Sequence, residues 1–267
     1  MRLFLLLGYL CLCFNLSVFT HSGEDVTTDH LFLDMIYLKD PLRPDEKGNQ
    51  LLHFRSKNKN PLTNDKSGET AAYVQKNLKK SKVFYSDAEI LRYAVDEAGK
   101  SDGLFLEFGV AVGKTTNFIA ALIPFRTLHG FDSFCGLQAT PTSAWAEGEC
   151  AFKKKGELPP LLSNVLLQVG YFEDTLPGFK KKWLKDTQIA FMNIDCDLYE
   201  STVSIFKHLG DNIRAGTIIV FDEYFGYKDW QNQEFRGFQE WIALKGVRYE
   251  YLAYNAWHQQ VVVRIIK

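Results

Sequence analysis

The fold class is decided by one stretch of the chain, Phe191-Met192-Asn193-Ile194-Asp195-Cys196-Asp197-Leu198-Tyr199. The apolar run over residues 189–194 is too short for a helix and predicts a strand that is buried on both faces of a sheet. Two carboxylates, Asp195 and Asp197, follow where this strand leaves the sheet. Because ligands bind beyond the carboxyl ends of strands in open α/β sheets, the stretch predicts an α/β fold with a functional site at this edge.

A second stretch repeats the pattern. Residues 217–221 predict another buried strand, and Asp222 and Glu223 follow it directly. Two neighbouring parallel strands would then present four carboxylates at one edge, where they would repel one another and raise one another's pKa values. A hard cation with oxygen ligands removes that repulsion. We therefore predict a divalent metal, Mg²⁺ or another hard cation, held by Asp195, Asp222 and Glu223.

Composition limits the classes of protein that fit. The 267 residues, of which 46% are hydrophobic, fit one α/β domain plus an extension. The net charge of −1 argues against a nucleic-acid-binding surface, so no nucleic-acid partner is expected. The cysteines show no paired spacing of a zinc or thiol-redox site, and a disulfide between Cys135 and Cys150 is left open.

The N-terminus has the pattern of a targeting segment. Arg2 precedes an apolar run that continues to about Phe19, which predicts a signal peptide or signal anchor over residues 1–22. The chain is therefore expected in the secretory pathway, in the ER or Golgi lumen, secreted, or anchored in the membrane through residues 3–20. Polar residues 23–82 predict a stem or cover, with a helix from Glu69 to Leu78 that closes over the active site. An α/β domain is predicted for residues 83–267.

A glycine turn follows the first strand of this domain. Residues 103–116 read as a strand, a Gly-rich turn and the start of a helix, in which glycines allow close approach of a ligand to the backbone. The spacing is not that of a P-loop, because position 108 is Phe. Glu107 at the strand end suits a ligand with an ammonium group or hydroxyls rather than a phosphate. The next strand, residues 128–132, ends in Asp132, at the position that bonds ribose hydroxyls in nucleotide-binding units.

The rest of the domain reads as alternating strands and helices. A lid is predicted for residues 138–160, because loops of this length are usually functional. The last two strands are expected to form an antiparallel hairpin at the sheet edge. We expect a mostly parallel, seven-stranded, Rossmann-like sheet. The remaining elements are strands at 165–169, 249–253 and 260–266, and helices at 86–99, 177–184, 198–209 and 234–244.

Four motifs resemble a known family. Residues 107–113, Glu-x-Gly-x-x-x-Gly, resemble motif I of S-adenosylmethionine-dependent methyltransferases. Residues 131–137, 194–202 and 220–224 resemble the macrocin O-methyltransferase (TylF-like) family. The resemblance covers roughly residues 83–266 and implies a class I methyltransferase domain that uses S-adenosyl-L-methionine and a magnesium-type metal. It implies methyl transfer to a hydroxyl of a small molecule or sugar, with membrane anchoring and homo-oligomerisation as further expectations.

The resemblance also implies roles for single residues. By position, Asp197 is the general base, and Asp195, Asp222 and Glu223 are the metal ligands. Bacterial members often have Asp where this chain has Glu223, and the secretory N-terminus is foreign to them. The implied cofactor-binding residues are Glu107, Gly109, Ala111, Gly113, Thr115, Asp132, Ser133, Phe172 and Asp195.

Three alternatives stay open at this point. Asp197 can instead be the N-cap of the helix that follows it. The Asp195-x-Asp197 pattern behind an anchor and stem is also typical of a secretory-pathway glycosyltransferase, although that class does not explain the glycine turn or Asp222-Glu223. A non-catalytic binding domain of the same fold is the third alternative.

Overall fold

A computed structural model of the protein describes residues 68–138, 158–256 and 258–267. The predictions for residues 1–22, for most of the stem, for most of the lid and for Cys150 lie outside these ranges. No helix within them is long and apolar enough to cross a membrane.

The strands are β1 (Lys82–Phe84), β2 (Leu104–Phe108), β3 (Leu128–Asp132), β4 (Val165–Val169), β5 (Ile189–Ile194), β6 (Ile218–Phe221), β7 (Tyr249–Asn255) and β8 (Val261–Ile265). The helices are α1 (Glu69–Asn77), α2 (Asp87–Ala98), α3 (Lys114–Leu122), α4 (Phe172–Trp183), α5 (Tyr199–Leu209) and α6 (Glu234–Lys245).

The strands form one sheet in the order β1-β7-β8-β6-β5-β2-β3-β4. Strands β2 to β6 pair in parallel, whereas β8 is antiparallel to both of its neighbours, β6 and β7. The predicted mostly parallel α/β fold with an antiparallel C-terminal hairpin is thus confirmed. Its order reverses between β2 and β5, which is where open α/β sheets bind ligands.

Two details of the predicted sheet are wrong. The described residues form eight strands rather than seven, and the hairpin does not lie at the edge. Strand β1 pairs in parallel with β7, with Lys82 opposite Ala253 and Phe84 opposite Asn255. Three residues within a polar segment give no recognisable strand pattern, so β1 could not be predicted from periodicity. The predicted boundary between the stem and the domain, residues 82 and 83, falls inside β1.

The helices cover both faces of the sheet. One face packs against α4, α5 and α6 through residues such as Phe179, Phe206 and Trp241. The other face packs against α2 and α3, where Phe118 is fully buried. Every residue of β5 is buried, because successive side chains of a strand enter the two cores alternately. This is the origin of the apolar run over residues 189–194.

The sequence predicts the start of one helix correctly and the start of another wrongly. Ser86 caps α2 as predicted, because its hydroxyl oxygen accepts from the amide of Glu89 at 3.2 Å. The prediction that a helix begins at Pro177 is wrong: α4 begins at Phe172 and contains Pro177. Proline lacks an amide N–H, so Pro177, in the second turn of α4, removes one intrahelical hydrogen bond without ending the helix.

Helix α1 is present as predicted, and it packs on the loop that follows β6. The Tyr73 ring lies 5.3 Å from Trp230 and 5.5 Å from Phe235, measured between ring centroids. The amide of Gly226 donates to Thr70 Oγ1 at 3.2 Å. A cavity opens at the carboxyl ends of β2, β3 and β5, and none of its described lining residues comes from α1, so the described contacts do not place α1 over this cavity.

Candidate active site

A cavity of about 520 Å³ opens at the carboxyl ends of β2, β3 and β5. Its walls are the glycine turn (residues 109–113), the end of β3, the start of α4 and the β5–α5 connection. Of the predicted cofactor residues, seven line it and two, Glu107 and Gly113, do not. Asp197 also lines it, whereas Asp222 and Glu223 do not. The seven lining residues are Gly109, Ala111, Thr115, Asp132, Ser133, Phe172 and Asp195.

The glycine turn is pressed against the end of β5. Gly109 has a φ of 97°, and a Cβ on it would lie 1.7 Å from the carbonyl oxygen of Asp195. Gly113 has a φ of 77° and precedes α3, where a Cβ would lie 2.6 Å from Leu161 Cδ2. At Gly109 the backbone of Asp195 leaves no room for a side chain, whereas at Gly113 the positive φ and the contact with Leu161 both disfavour one.

Asp132 shapes the turn from the end of β3. One carboxylate oxygen accepts from the amides of Val110 and Ala111, each at 2.8 Å, and the other accepts from the amide of Phe134 at 2.7 Å. These bonds support Ala111 at a φ of 46°, which non-glycine residues rarely adopt. A carboxylate has about four lone-pair sites, so Asp132 can still accept from a ligand hydroxyl.

Glu107 lies beneath the turn rather than in the cavity. It is fully buried and accepts from Asn193 Nδ2 at 3.2 Å. Burial raises its pKa to about 8, so the carboxyl is mostly protonated at neutral pH. Glu107 therefore lies where it can support the turn. It does not present to the cavity the exposed negative charge that the sequence suggested.

Three carboxylates gather where β5 and β6 end. Atoms of Asp195, Asp222 and Glu223, which we call the carboxylate cluster, lie within 4.8 Å of one another. The strand ends are tied together, because the amide of Asp222 donates to the Ile194 carbonyl at 2.9 Å. Glu223 Oε2 is buried and has no hydrogen-bond partner within the described residues. Burial and the charge of Asp222 raise the pKa values of Asp195 and Glu223. An unpartnered oxygen among mutually repelling oxygen donors fits a hard divalent cation.

Asp197 is not the N-cap of the helix that follows it. Leu198 occupies that position without a side-chain cap, and the amide of Tyr199 donates instead to Gln233 Oε1 at 3.3 Å. Asp197 has a φ of 61° and lines the cavity. The left-handed backbone at this residue fits a functional constraint better than a capping role.

Two residues that touch the carboxylate cluster have no signal in the sequence. Glu234, the first residue of α6, is fully buried and accepts from the amides of Cys196 at 3.2 Å and Glu223 at 3.3 Å. Gln260 Nε2 donates to Asp222 Oδ1 at 2.6 Å. The Glu234–Cys196 and Gln260–Asp222 contacts each join residues 38 positions apart, and the Glu234–Glu223 contact joins residues 11 positions apart, so no local spacing predicts them.

The cavity wall is acidic. Among the described residues that line it, Lys114 is the one lysine and there is no arginine. Glu173 is held ionised, because His208 and Lys207 lower its pKa to about 2. A wall of this sign attracts a cationic ligand and repels a phosphate. The acidic lining residues are Asp132, Glu173, Asp174, Asp195, Asp197 and Glu200.

Comparisons with known proteins agree with this architecture. Residues 151–243 match the family model described as macrocin-O-methyltransferase (TylF). No curated protein matches the sequence significantly. The O-methyltransferase NovP superposes with a TM-score of 0.53 at 19% identity, over 67% of this chain and 79% of NovP.

The calicheamicin methyltransferase CalS11 superposes with a TM-score of 0.54 at 20% identity, over 92% of this chain and 98% of CalS11. Its apo structure, described as a TDP-rhamnose 3'-O-methyltransferase, gives 0.50 at 20% identity over 92% and 97%. At these identities the structural likeness shows a shared Rossmann-like methyltransferase fold.

Proposed function

We propose that this chain, whose residues 151–243 match the macrocin-O-methyltransferase (TylF) family model, is an S-adenosylmethionine-dependent O-methyltransferase that acts on a hydroxyl of a small molecule or sugar. One observation carries the proposal: the cavity beside the glycine turn and the carboxylate cluster share a residue, Asp195. A cofactor in the cavity and a cation on the cluster would therefore lie side by side.

The cavity suits this cofactor through its shape and its charge. The glycine turn brings backbone close to a ligand at the start of α3, and Asp132 stands at the position for ribose hydroxyls. S-adenosylmethionine carries a sulfonium and an ammonium group, and the acidic wall stabilises both. A nucleotide sugar carries two phosphates that the same wall repels, which disfavours a glycosyltransferase.

The carboxylate cluster supplies the chemistry at the acceptor. Asp195, Asp222 and Glu223 would hold a magnesium-type cation, which lowers the pKa of an acceptor hydroxyl and fixes its orientation. Asp197 at the cavity wall is the proposed general base that takes the hydroxyl proton. S-adenosylmethionine would supply the methyl group to the acceptor oxygen and would leave as the neutral thioether.

Calorimetry on the full chain tests the cofactor. We expect S-adenosylmethionine to bind and a UDP-sugar not to bind. At a ligand concentration about 100 times Kd, S-adenosylmethionine should also stabilise the fold by roughly 2.7 kcal/mol. The reverse selectivity would favour the glycosyltransferase, and binding without any methylated product in a mass-spectrometric screen would favour a non-catalytic domain.

Chelation tests the metal. Excess EDTA should abolish methyl transfer, while calorimetry should still detect S-adenosylmethionine binding, because most of the cavity lies away from the cluster. Re-addition of Mg²⁺ should restore turnover. Undiminished turnover in EDTA would remove the metal from the proposal and leave the cofactor assignment intact.

The cellular location and the acceptor are further parts of the proposal. The N-terminal apolar run supports entry into the secretory pathway, with or without membrane anchoring. A C-terminal tag should be protected from protease in intact microsomes and become accessible after detergent. Protease access without detergent would contradict a lumenal location.

CalS11 is described as acting on a rhamnose hydroxyl, so sugars belong in the acceptor screen.

A further inference from the structure

One buried carboxylate reaches both loops that carry the carboxylate cluster. Glu234 Oε1 accepts from the amide of Cys196, the residue after Asp195, at 3.2 Å. Glu234 Oε2 accepts from the amide of Glu223, the residue after Asp222, at 3.3 Å. Each oxygen thus fixes the backbone that follows one strand end, and the two oxygens belong to one rigid group.

Helix α6 holds this carboxylate firmly. Glu234 is its first residue, and the neighbouring Gln233 accepts from the amide of Tyr199 at 3.3 Å. One turn further on, Gly237 allows close packing on α5, because a Cβ there would lie 2.8 Å from Thr202 Cγ2. The backbone of Glu234 therefore cannot shift without moving α6 against α5.

We propose that Glu234 is a positioning residue, which sets the spacing of Asp195, Asp222 and Glu223 for a divalent cation by binding the amides of Cys196 and Glu223. The inference rests on the proposed function, because it takes the carboxylate cluster to be the cation site. Glu234 itself would not contact the cation. It would act through the backbone, as residues that orient metal ligands do.

The chemistry of the contact needs a carboxylate. Both partners are N–H donors, and both carboxyl oxygens of Glu234 accept from them. Burial raises the pKa of Glu234, and the two backbone hydrogen bonds oppose that shift because they favour the ionised carboxylate, which offers acceptors only. A glutamine of the same shape offers one oxygen and one amino group, so one backbone amide would face another donor. Glu234→Gln should therefore release one of the two loops while it preserves the volume of the core.

An electron paramagnetic resonance titration with Mn²⁺ on the full chain tests the proposal. Wild type should bind Mn²⁺, and E234Q should bind it about 10–100-fold more weakly, the usual cost of losing a residue that orients ligands. Its affinity for S-adenosylmethionine by calorimetry should stay within about twofold. The matched control is Glu240→Gln, the same change on the exposed side of α6, and it should leave Mn²⁺ binding unchanged.

Each outcome decides a separate point. Equal Mn²⁺ affinity in E234Q and wild type overturns the positioning role. Parallel losses of Mn²⁺ and S-adenosylmethionine affinity, with a lower melting temperature, show a general structural role and overturn it too. A wild type that binds S-adenosylmethionine but not Mn²⁺ contradicts the metal part of the proposed function, and the inference falls with it.

A second variant covers a failure of E234Q to fold. Glu234→Asp keeps the charge but is shorter by one methylene, so it cannot reach both amides. Hydrogen exchange should then be faster in one of the segments that contain Cys196 and Glu223, with weaker Mn²⁺ binding. Unchanged exchange in both segments and unchanged Mn²⁺ binding would overturn the proposal.

Discussion

Asp197 combines a left-handed backbone with a position on the cavity wall. Asparagine adopts the left-handed region at least as readily as aspartate, so Asp197→Asn should leave the melting temperature nearly unchanged. It cannot accept a proton, so turnover should fall by roughly 10²–10⁴-fold if Asp197 is the base. Methyl-transfer kinetics and thermal unfolding measure the two effects separately.

The alanine variant provides the comparison. Asp197→Ala loses the proton acceptor and also strains the backbone, at a cost of about 1–2 kcal/mol in the free energy of unfolding. Near wild-type turnover in Asp197→Asn, together with a destabilised Asp197→Ala, would mean that the residue serves the backbone and that the base lies elsewhere.

Gly109 offers the sharpest steric test. In Gly109→Ala the new Cβ would overlap the carbonyl oxygen of Asp195, so the turn and the end of β5 must separate. We expect the free energy of unfolding to fall by about 1–3 kcal/mol and binding of S-adenosylmethionine to be lost. Urea unfolding and calorimetry measure these effects.

The control for Gly109→Ala is the same substitution at Gly178. That residue lies inside α4, and a Cβ there would meet nothing within 4 Å. Alanine is the better helix former, so Gly178→Ala should raise stability by about 0.5–1 kcal/mol and leave binding unchanged. Equal effects of the two substitutions would contradict the account of the glycine turn.

At the scale of elements, Tyr73 is one of the side chains that attach α1 to the rest of the domain. Tyr73 contacts the rings of Trp230 and Phe235, and its hydroxyl bonds to that of Tyr251. Tyr73→Ala should lower the free energy of unfolding by roughly 1.5–3 kcal/mol and make trypsin cleavage near Lys79 faster. Lys76→Ala, on the exposed side of α1, should change neither. A Tyr73→Ala chain as resistant to trypsin as wild type would show that other contacts hold α1.

Sequence patterns predicted well the strands that have clear apolar runs, and predicted poorly the elements that lack such a signal. The bounds of β3, β4 and β5 match those predicted, because their apolar runs end in polar or glycine residues. Strand β1 escaped detection because it is held by pairing with β7 rather than by its own composition. The start of α4 was wrong because Pro177 is tolerated inside the helix.

Some residues of the candidate site could likewise be predicted from the sequence, and others could not. Asp195, Asp222 and Asp132 could be predicted because each directly follows or ends a strand, and strand ends converge in a parallel sheet. Glu234 and Gln260 could not, because their contacts depend on how α6 and β8 pack against the strand ends. Its place in the motif did not reveal that Glu107 is fully buried and does not line the cavity, so its contact with the cofactor stays a prediction.

At the scale of the whole molecule, Glu107 should make stability depend on pH. Burial raises its pKa from the ordinary 4.5 to about 8. Below about pH 4.5 both the folded and the unfolded chain carry this proton, and its contribution to stability is fully present. As the pH rises from about 4.5 to about 8, only the unfolded chain releases the proton, so the folded state loses stability.

Glu107→Gln isolates this contribution. Glutamine can still accept from Asn193 but does not titrate, so the free energy of unfolding should fall less steeply with pH than in wild type. Urea unfolding of both chains at several pH values between about 4.5 and 8 measures the difference in slope. Identical slopes would mean that Glu107 ionises in the folded chain as it does in water.

The position of β8 has a consequence for synthesis of the chain. This strand follows every other described strand in sequence, yet it lies between β6 and β7. Until residues 261–265 have been synthesised, the edge of β6 that pairs with β8 is open. Strands β7 and β1 cannot join the sheet in that interval, because β7 reaches β6 only through β8. Open edges invite pairing with other nascent chains, so this interval is when the protein most needs a chaperone. Ribosome stalling shortly before residue 261 should therefore yield aggregates rather than a partly active enzyme.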